Sequence, residues 1–259
     1  MTEAPRRLRR AEAVLQQRTN RLLLVLERPA DNFNVQAVLR TAEAFGVQNV
    51  WIVDHQRTPV KLSKSVTKGS FLWLSLRRFD SPEACLAELQ KQQWQIWSTD
   101  LHPSATELTA DSSLTPFPAK VALVVGRESD GVSQTMLEAS TRRLFLPMHG
   151  FTESFNLSVA TALVLQRCFD ACPELHGAMT DEERAEVRLD WYRRLAGSEQ
   201  QLHEYEEWLK TPPEPLPSVR PAEEFRRPRM PKKLRRKMAS QDLPDRELEG
   251  EREQAKPPK

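Results

Sequence analysis

The sequence predicts an α/β fold with a mostly parallel sheet flanked by helices. Short apolar runs of strand length, such as VALVV at 121–125, alternate with longer segments that have helical apolar spacing. Residues that start or stop helices separate the two kinds of segment, among them the Ser81-Pro82 pair and Gly46. Runs that are apolar at every position indicate strands buried on both faces, as in parallel sheets.

These patterns define the elements in chain order. The helix that precedes Gly46 ends there because glycine stops helices, and Ser81 caps the helix that Pro82 opens. FLWLSLRRF (71–79) alternates in the manner of a strand. The predicted elements are a basic helix over 6–18, strand 21–27, helix 34–46, strands 49–54 and 71–79, helix 81–92, strands 94–100 and 120–126, a helix from Ser133, strand 142–148 and helix 154–171.

The character of the chain changes after Pro173. Residues 180–210 are highly charged and carry Leu, Trp and Tyr at helical spacing, which predicts one or two further helices. From Thr211 onward prolines are frequent and large apolar residues are few. The predicted organisation is a basic helical extension (1–20), an α/β domain (21–175), C-terminal helices (176–210) and a disordered tail (211–259).

The net charge of +2 conceals a segregated pattern. Residues 1–28 carry seven basic and three acidic side chains, and residues 218–240 carry nine basic and two acidic ones. The span 29–217 holds 18 basic and 25 acidic residues. Basic ends on an acidic body indicate a polyanionic partner. The candidate contacts to this polyanion are Arg6, Arg7, Arg9, Arg10, Arg226, Arg227, Arg229, Lys232, Lys233, Arg235 and Arg236.

Composition excludes several classes of protein. No apolar run approaches the ~20 residues of a membrane span, and the N-terminus lacks the apolar core of a signal peptide. An Arg-rich start also suits a mitochondrial presequence, but Glu3 and Glu12 disfavour that reading. The three cysteines form no metal pattern, and their odd number argues against a disulfide scaffold. We therefore expect a cytoplasmic protein with reduced thiols and no metal.

Three strand-to-helix junctions carry polar residues, and such junctions bind ligands in α/β sheets. The first holds Asn34 and Arg40, for which the alternatives are a helix cap and a surface arginine. The second is GRESDG, in which Gly126 would let a ligand approach the backbone and Glu128 could accept from a hydroxyl. GxExxG by itself is a weak signal, and neither a GxGxxG nor a Walker loop is present.

The third junction is LPMHGFTESFNLSVA at 146–160. Ser154 suits a helix N-cap. Asn156 is predicted to lie inside the first helical turn, although asparagine has a low helix propensity. Free amides at such a helix start suit an anionic part of a ligand. His102 and His149 lie near these loops, but neither has a second ligand at metal spacing.

In this order and spacing, the junctions resemble the three motifs of the SPOUT family of RNA methyltransferases, and within it the TrmH-type tRNA ribose 2'-O-methyltransferases. The resemblance runs from about residue 6 to 210. Three positions depart from the usual pattern: PADNFN replaces KPHN before Asn34, Phe155 stands where Leu is usual, and Glu153 stands where Gln is common.

The resemblance implies a C-terminal trefoil knot, S-adenosylmethionine as cofactor and a homodimer whose active site uses both subunits. It implies transfer of a methyl group to a ribose 2'-hydroxyl in tRNA, at the D-loop guanosine at position 18. The implied cofactor residues are Ser98, Thr99, Leu101, Gly126, Leu146, Met148 and Leu157. The implied catalytic residues are Asn34, Arg40, Glu128, Ser154 and Asn156.

In-line transfer from a sulfonium requires alignment of donor and acceptor and removal of the hydroxyl proton, without a metal. Arginine is a poor base because its pKa lies above ~12. We therefore expect Arg40 to bind phosphate and stabilise developing negative charge, held by Asn34, Glu128 and Ser154. The alternatives are ribosomal RNA methylation, a non-catalytic RNA-binding factor with the same fold and, last, an open-sheet enzyme acting on a small molecule.

Overall fold

A seven-stranded sheet forms the centre of the protein, as seen in a computed structural model that describes residues 3–54, 60, 62–67, 69–109 and 114–219. The strand order is β3-β2-β1-β6-β4-β7-β5, and all the paired neighbours are parallel. The strands are β1 (Thr19–Glu27), β2 (Val47–Val53), β3 (Ser75–Phe79), β4 (Gln95–Thr99), β5 (Thr106–Glu107), β6 (Val121–Val125) and β7 (Arg142–Phe145). The predicted α/β class is confirmed.

Eight α-helices accompany the sheet in the described part of the chain. They are α1 (Arg6–Leu15), α2 (Asn32–Phe45), α3 (Lys64–Thr67), α4 (Pro82–Lys91), α5 (Gln134–Ala139), α6 (Leu157–Ala171), α7 (Asp181–Leu195) and α8 (Glu199–Lys210). The strand predicted over 71–79 is wrong in its first half. Residues Ser70–Trp73 form a 3-10 helix, and only Ser75–Phe79 pair with β2.

The central strands are buried on both faces. Leu22, Leu24 and Leu26 of β1 pack into one apolar core with α2 and α6. Leu23 and Val25 of the same strand pack into a second core with α4 and α5. Because side chains alternate along a strand, a continuous apolar run supplies both layers.

Gly46 joins the end of α2 to the beginning of β2. It lies at φ 84°, in the left-handed region that closes a helix. A Cβ here would lie 2.6 Å from the Gln17 carbonyl oxygen, which belongs to the connection between α1 and β1. The glycine that the sequence marks as a helix stop therefore also makes room for the N-terminal extension.

Helices α1, α7 and α8 share a third apolar cluster that contains Leu8, Trp191 and Tyr205. Glu12 lies in its polar part and is 6% exposed. Its carboxylate accepts hydrogen bonds from Arg188 Nε (2.8 Å) and Nη2 (2.9 Å) and from the Tyr192 hydroxyl (2.7 Å). These bonds to Glu12 hold the pKa of Arg188 above its usual range. The predicted terminal helices thus pack on each other.

Replacing Glu12 with alanine is expected to lower the free energy of unfolding by about 3 kcal/mol. The change leaves a partly buried guanidinium and a buried phenol without their shared acceptor. Urea denaturation of the whole chain measures the loss. Tyr192→Phe removes one hydrogen bond and is expected to cost only about 1 kcal/mol. A Glu12→Ala loss no larger than that of Tyr192→Phe would contradict the buried ion pair.

The tail was predicted to begin at residue 211, but residues 211–219 lie against α1. The amide of Leu216 donates to the Arg9 carbonyl (3.1 Å), and Arg9 Nε donates to the Glu214 carbonyl (3.1 Å). These hydrogen bonds to main-chain carbonyl groups hold a proline-rich segment that composition alone predicts to be disordered. Residues 220–259 lie outside the described residues.

The cysteines and the apolar character of the helices were the basis of two exclusions drawn from composition. Cys85, Cys168 and Cys172 are free and buried, and burial raises the pKa of the Cys85 thiol to about 12. None of the helices in the described ranges has the length and apolar character needed to cross a membrane.

Candidate active site

A cavity of about 460 Å³ opens beyond the carboxyl ends of β4, β6 and β7. Ligands bind at this edge of parallel sheets because the loops that leave the strands diverge there. Its wall includes residues 99–101 at the end of β4, residues 125–132 at the end of β6, residues 144–146 and Met148 at the end of β7, and residues 153–155, Leu157, Ala160 and Val164 before and within α6. The second and third predicted junctions therefore meet in one site.

Six of the seven predicted cofactor residues line this cavity, and Ser98 does not. Ser98 is fully buried, and its hydroxyl lies 2.5 Å from that of Ser140, behind the end of α5. Thr99 points to the other face because successive side chains of a strand alternate. The six that line the cavity are Thr99, Leu101, Gly126, Leu146, Met148 and Leu157.

Gly126 directly follows β6 and lines the cavity. A Cβ on it would lie 2.1 Å from the carbonyl carbon of Gly131 and 2.2 Å from the amide nitrogen of Val132. The main chain of the following turn, which is closed by two hydrogen bonds between Arg127 and Gly131 (3.1 and 2.9 Å), occupies that space. Only glycine permits this turn to fold back on the strand.

Three side chains from the three junctions form one hydrogen-bond network. Asn34 Nδ2 donates to Glu128 Oε1 (2.5 Å), and Asn156 Nδ2 donates to Asn34 Oδ1 (3.0 Å). The second oxygen of Glu128 is buried, and no hydrogen-bond partner for it lies among the described residues. Glu128 also lines the cavity, so its carboxylate lies beside the space open to a ligand, and carboxylates accept hydrogen bonds from hydroxyl groups.

The helix starts differ from those predicted. Asp31 caps α2 by accepting from the Phe33 amide, so the cap alternative for Asn34 is wrong and its amide is free for the network. At α6, Asn156 is the N-cap and accepts from the Ser158 amide (2.9 Å). Ser154 precedes the helix, is exposed and lines the cavity.

Arg40 stands apart from this network. It lies six residues after Asn34 on α2, is exposed, and no described residue holds its guanidinium by a hydrogen bond or ion pair. Within this chain, none of Asn34, Glu128 and Ser154 bonds to Arg40, so their predicted hold on Arg40 stays a prediction. Six residues are nearly two helical turns, and the pitch carries Arg40 away from the cavity.

Two of the N-terminal arginines that were predicted to bind RNA also form hydrogen bonds within the protein. Arg7 Nη1 donates to the Leu195 carbonyl at the end of α7 (3.0 Å), and Arg9 binds the Glu214 carbonyl. Arg6 is exposed and Arg10 is half-buried. The other predicted RNA contacts, Arg226, Arg227, Arg229, Lys232, Lys233, Arg235 and Arg236, lie outside the described residues.

The sequence profile of the SpoU rRNA methylase family matches residues 21–166. The chain belongs to the SpoU family. Its matched span begins in β1 and ends in α6, so it contains every described side chain of the hydrogen-bond network and almost the whole cavity wall. Membership confirms the family predicted from the three motifs.

Two curated SpoU-type relatives carry different substrate names. One, from Borreliella burgdorferi, is a tRNA (guanosine(18)-2'-O)-methyltransferase, 31% identical over 188 residues that cover 72% of this chain and 84% of the relative. Another, the 23S rRNA (guanosine-2'-O-)-methyltransferase RlmB of Haemophilus ducreyi, is 34% identical over 59% of this chain and 61% of the relative.

Solved structures of SpoU enzymes share the fold. The TrmH/SpoU tRNA modifying enzyme of A. aeolicus superimposes with a TM-score of 0.65 at 27% identity and covers 73% of this chain and 97% of that one. The SpoU methyltransferase AviRb of Streptomyces viridochromogenes, in complex with AdoMet, has a TM-score of 0.50 at 23% identity. It covers 58% of this chain and 60% of that one.

Sequence reasoning missed part of the SpoU site. Asp100 lines the cavity and pairs with Arg143 (3.2 Å), and Glu27 and Arg28 at the end of β1 contact the turn that carries Glu128. A carboxylate directly after an apolar strand is a signal that could have found Glu27. Among the residues that the structure describes, no group of His, Cys, Asp or Glu is arranged to hold a metal ion.

Proposed function

We propose that this chain transfers the methyl group of S-adenosylmethionine to a ribose 2'-hydroxyl of tRNA, with the D-loop guanosine at position 18 as the target. The observation that carries the proposal is the buried, unpartnered Oε2 of Glu128, whose other oxygen is fixed by Asn34. Glu128 lines the cavity of a chain that belongs to the SpoU family. The name of the Borreliella relative supports the tRNA target.

The residues of the cavity suit S-adenosylmethionine. Its volume of about 460 Å³ lies in the usual range for sites of small ligands. Leu144, Leu146 and Val164 supply apolar contacts, and the bare backbone at Gly126 admits close approach. When bound, the cofactor supplies an activated sulfonium methyl group.

Within this mechanism the network positions the acceptor. Asn34 orients Glu128 so that Oε2 can accept a hydrogen bond from the ribose hydroxyl and align it for attack. Asn156 links that pair to the start of α6, and Ser154 lies beside them on the cavity wall. Arg40 of a second copy of the chain binds the neighbouring phosphate and stabilises the alkoxide that develops as the hydroxyl proton passes to water.

We also propose that the active enzyme is a homodimer joined through α6. Phe155, Val159 and Leu163 recur every fourth residue, are 37%, 46% and 40% exposed, and so form an apolar stripe that begins beside Asn156. Phe33, on the adjacent α2, is 67% exposed. A stripe of this kind marks a protein interface. A second copy placed there would border the site, where the partner's Arg40 could supply the missing cation.

Replacing Leu163 with glutamate is expected to convert the dimer to a monomer because it buries a charge in that interface. Sedimentation velocity measures the mass of the species, and methyl transfer is expected to fall with the dimer. Val66→Glu, at an apolar residue on α3 that is 36% exposed, is the matched control. A Leu163→Glu variant that stays dimeric would refute this interface.

Three finer features complete the proposal. The basic segments at 1–28 and 218–240 hold the phosphate backbone of the tRNA beyond the catalytic pocket.

The chain forms a trefoil knot around the cofactor loops, which agrees with the approach of the segments after β4, β6 and β7 to a single cavity. The enzyme acts in the cytoplasm, together with its RNA.

Ribosomal RNA is the second candidate substrate because the Haemophilus ducreyi relative methylates 23S rRNA according to its name. Incubating the protein with bulk tRNA, with rRNA and with methyl-labelled cofactor separates the two. We expect label in tRNA, at one ribose-methylated guanosine in the D-loop. Label only in rRNA would overturn the substrate, and label in neither RNA would overturn the activity.

A further inference from the structure

The turn that carries Glu128 is held from outside by two consecutive residues at the end of β1. Glu27 is fully buried, and its Oε2 accepts from the amide of Ser133, where the turn leads into α5 (2.8 Å). Arg28 Nη1 forms an ion pair with Asp130 Oδ2 (2.9 Å), and its Nη2 donates to the Gly131 carbonyl (3.4 Å). The C-terminal half of the turn is thus attached to the end of β1.

Arg28 makes this contact from an unusual backbone conformation. Its φ is 52°, in the left-handed region that residues with a side chain seldom adopt. Its amide donates to the Val53 carbonyl (2.8 Å), so the conformation is fixed by the neighbouring strand. Such outliers concentrate at functional sites, where the surrounding structure maintains them. Here the outlier turns the guanidinium away from the sheet and onto the turn.

The other contacts of Asp130 lie within the turn. Ser129 Oγ donates to Asp130 Oδ1 (2.7 Å), and Arg127 Nε lies 3.9 Å from the same oxygen. The Ser129 hydrogen bond, followed by the charges of Arg28 and Arg127, holds the pKa of Asp130 below its usual range. Asp130 is therefore ionised at neutral pH and available to Arg28.

We propose that Arg28 is a positioning residue that acts through Asp130 to hold the Glu128 carboxylate against Asn34 and toward the cavity. The main-chain bonds between Arg127 and Gly131 close the turn, and the bond from the Ser133 amide to Glu27 anchors its exit. The ion pair to Arg28 adds a charged contact from the end of β1 at Asp130, two residues from Glu128. This inference rests on the proposed function, because it assigns to Glu128 the alignment of the acceptor.

The test compares Arg28→Gly, Arg28→Ala and Asp130→Ala with the wild type in the whole chain. Each variant is expected to lower kcat about 10- to 100-fold, the usual cost of a small displacement of a reacting group. In the two Arg28 variants, cofactor affinity measured by calorimetric titration is expected to change less than about threefold, because Arg28 does not line the cavity. Arg194→Ala, which breaks another exposed arginine–aspartate pair, is the control with unchanged kcat.

Two further comparisons separate positioning from folding. Glycine relieves the left-handed backbone, so Arg28→Gly is expected to melt at a higher temperature than Arg28→Ala while losing the same factor in kcat. The double variant Arg28→Gly/Asp130→Ala is expected to lose no more than either single change, because both remove one interaction. Single-turnover rates with Glu128→Gln are expected to be insensitive to Arg28→Gly.

Three results would overturn the inference. The first is a wild-type kcat in Arg28→Gly. The second is a double variant in which the two single losses in kcat multiply. The third is a loss in kcat that is smaller in Arg28→Gly than in Arg28→Ala in proportion to the smaller fall in melting temperature. A failure of the proposed function is distinguishable from these results. It would appear in the wild type as an absence of methyl transfer to RNA, while the titration would still measure whether the cofactor binds.

Discussion

Replacing Arg40 with alanine is expected to lower kcat about 1,000-fold or more, with cofactor affinity unchanged. Arg40 is exposed on α2, and it does not line the cavity. Its removal therefore leaves the cofactor site intact and deletes only the cation that we propose to bind the phosphate and the developing alkoxide. Steady-state methylation of tRNA measures the first effect, and calorimetric titration with S-adenosylmethionine measures the second.

Arg40→Lys tests whether charge alone suffices. Lysine keeps the positive charge but lacks the planar fork of donors that binds a phosphate through two hydrogen bonds. We expect it to restore only part of the lost rate. Near-normal turnover of Arg40→Ala would remove this residue from the mechanism, and a parallel loss of cofactor affinity would move its role to the cofactor.

The Gly126→Ala change is expected to weaken S-adenosylmethionine binding about 10- to 100-fold and to lower the melting temperature. The new Cβ would lie 2.1 Å from the Gly131 carbonyl carbon, a main-chain atom that cannot rotate away. Overpacking of this kind costs about 1–3 kcal/mol, and relief requires the turn that lines the cavity to move. Calorimetric titration and thermal denaturation measure the two effects.

Gly150→Ala is the matched control. Gly150 belongs to the loop before α6, and a Cβ on it would have nothing within 4 Å. It is expected to leave cofactor affinity and melting temperature near those of the wild type. Equal behaviour of the two alanine variants would show that the turn yields easily and that Gly126 is not required for its closure.

Local patterns in the sequence predicted most of the secondary structure because the decisive signals are local. The unbroken apolar run of β6, the Ser81 cap of α4 and the glycine after α2 act through neighbouring residues. The prediction of a strand over Ser70–Trp73 was wrong because this pattern of large apolar residues suits both a strand and a short helix packed on α2. Only the partners available in three dimensions decide between them.

The site was predictable in its residue types and less so in its connections. Asn34, Glu128 and Asn156 were identified from three separate junctions, and the structure joins them. Ser98 and Thr99 are neighbours in β4, so the resemblance named both, although the strand turns only one of them to the cavity. The distance of Arg40 from the network depends on the pitch and placement of α2.

The sequence by itself determined the α/β class, the three motif-bearing junctions and the segregation of positive charge to the two ends. These follow from periodicity, capping and composition, each of which is encoded within a few residues. Tertiary structure alone decided that Arg28 holds the turn of Glu128, that Glu12 joins α1 to α7, and that Arg7 and Arg9 bind carbonyl groups of distant segments. Such contacts join residues about 100 to 200 positions apart, and no local pattern specifies which partners the folded chain brings together.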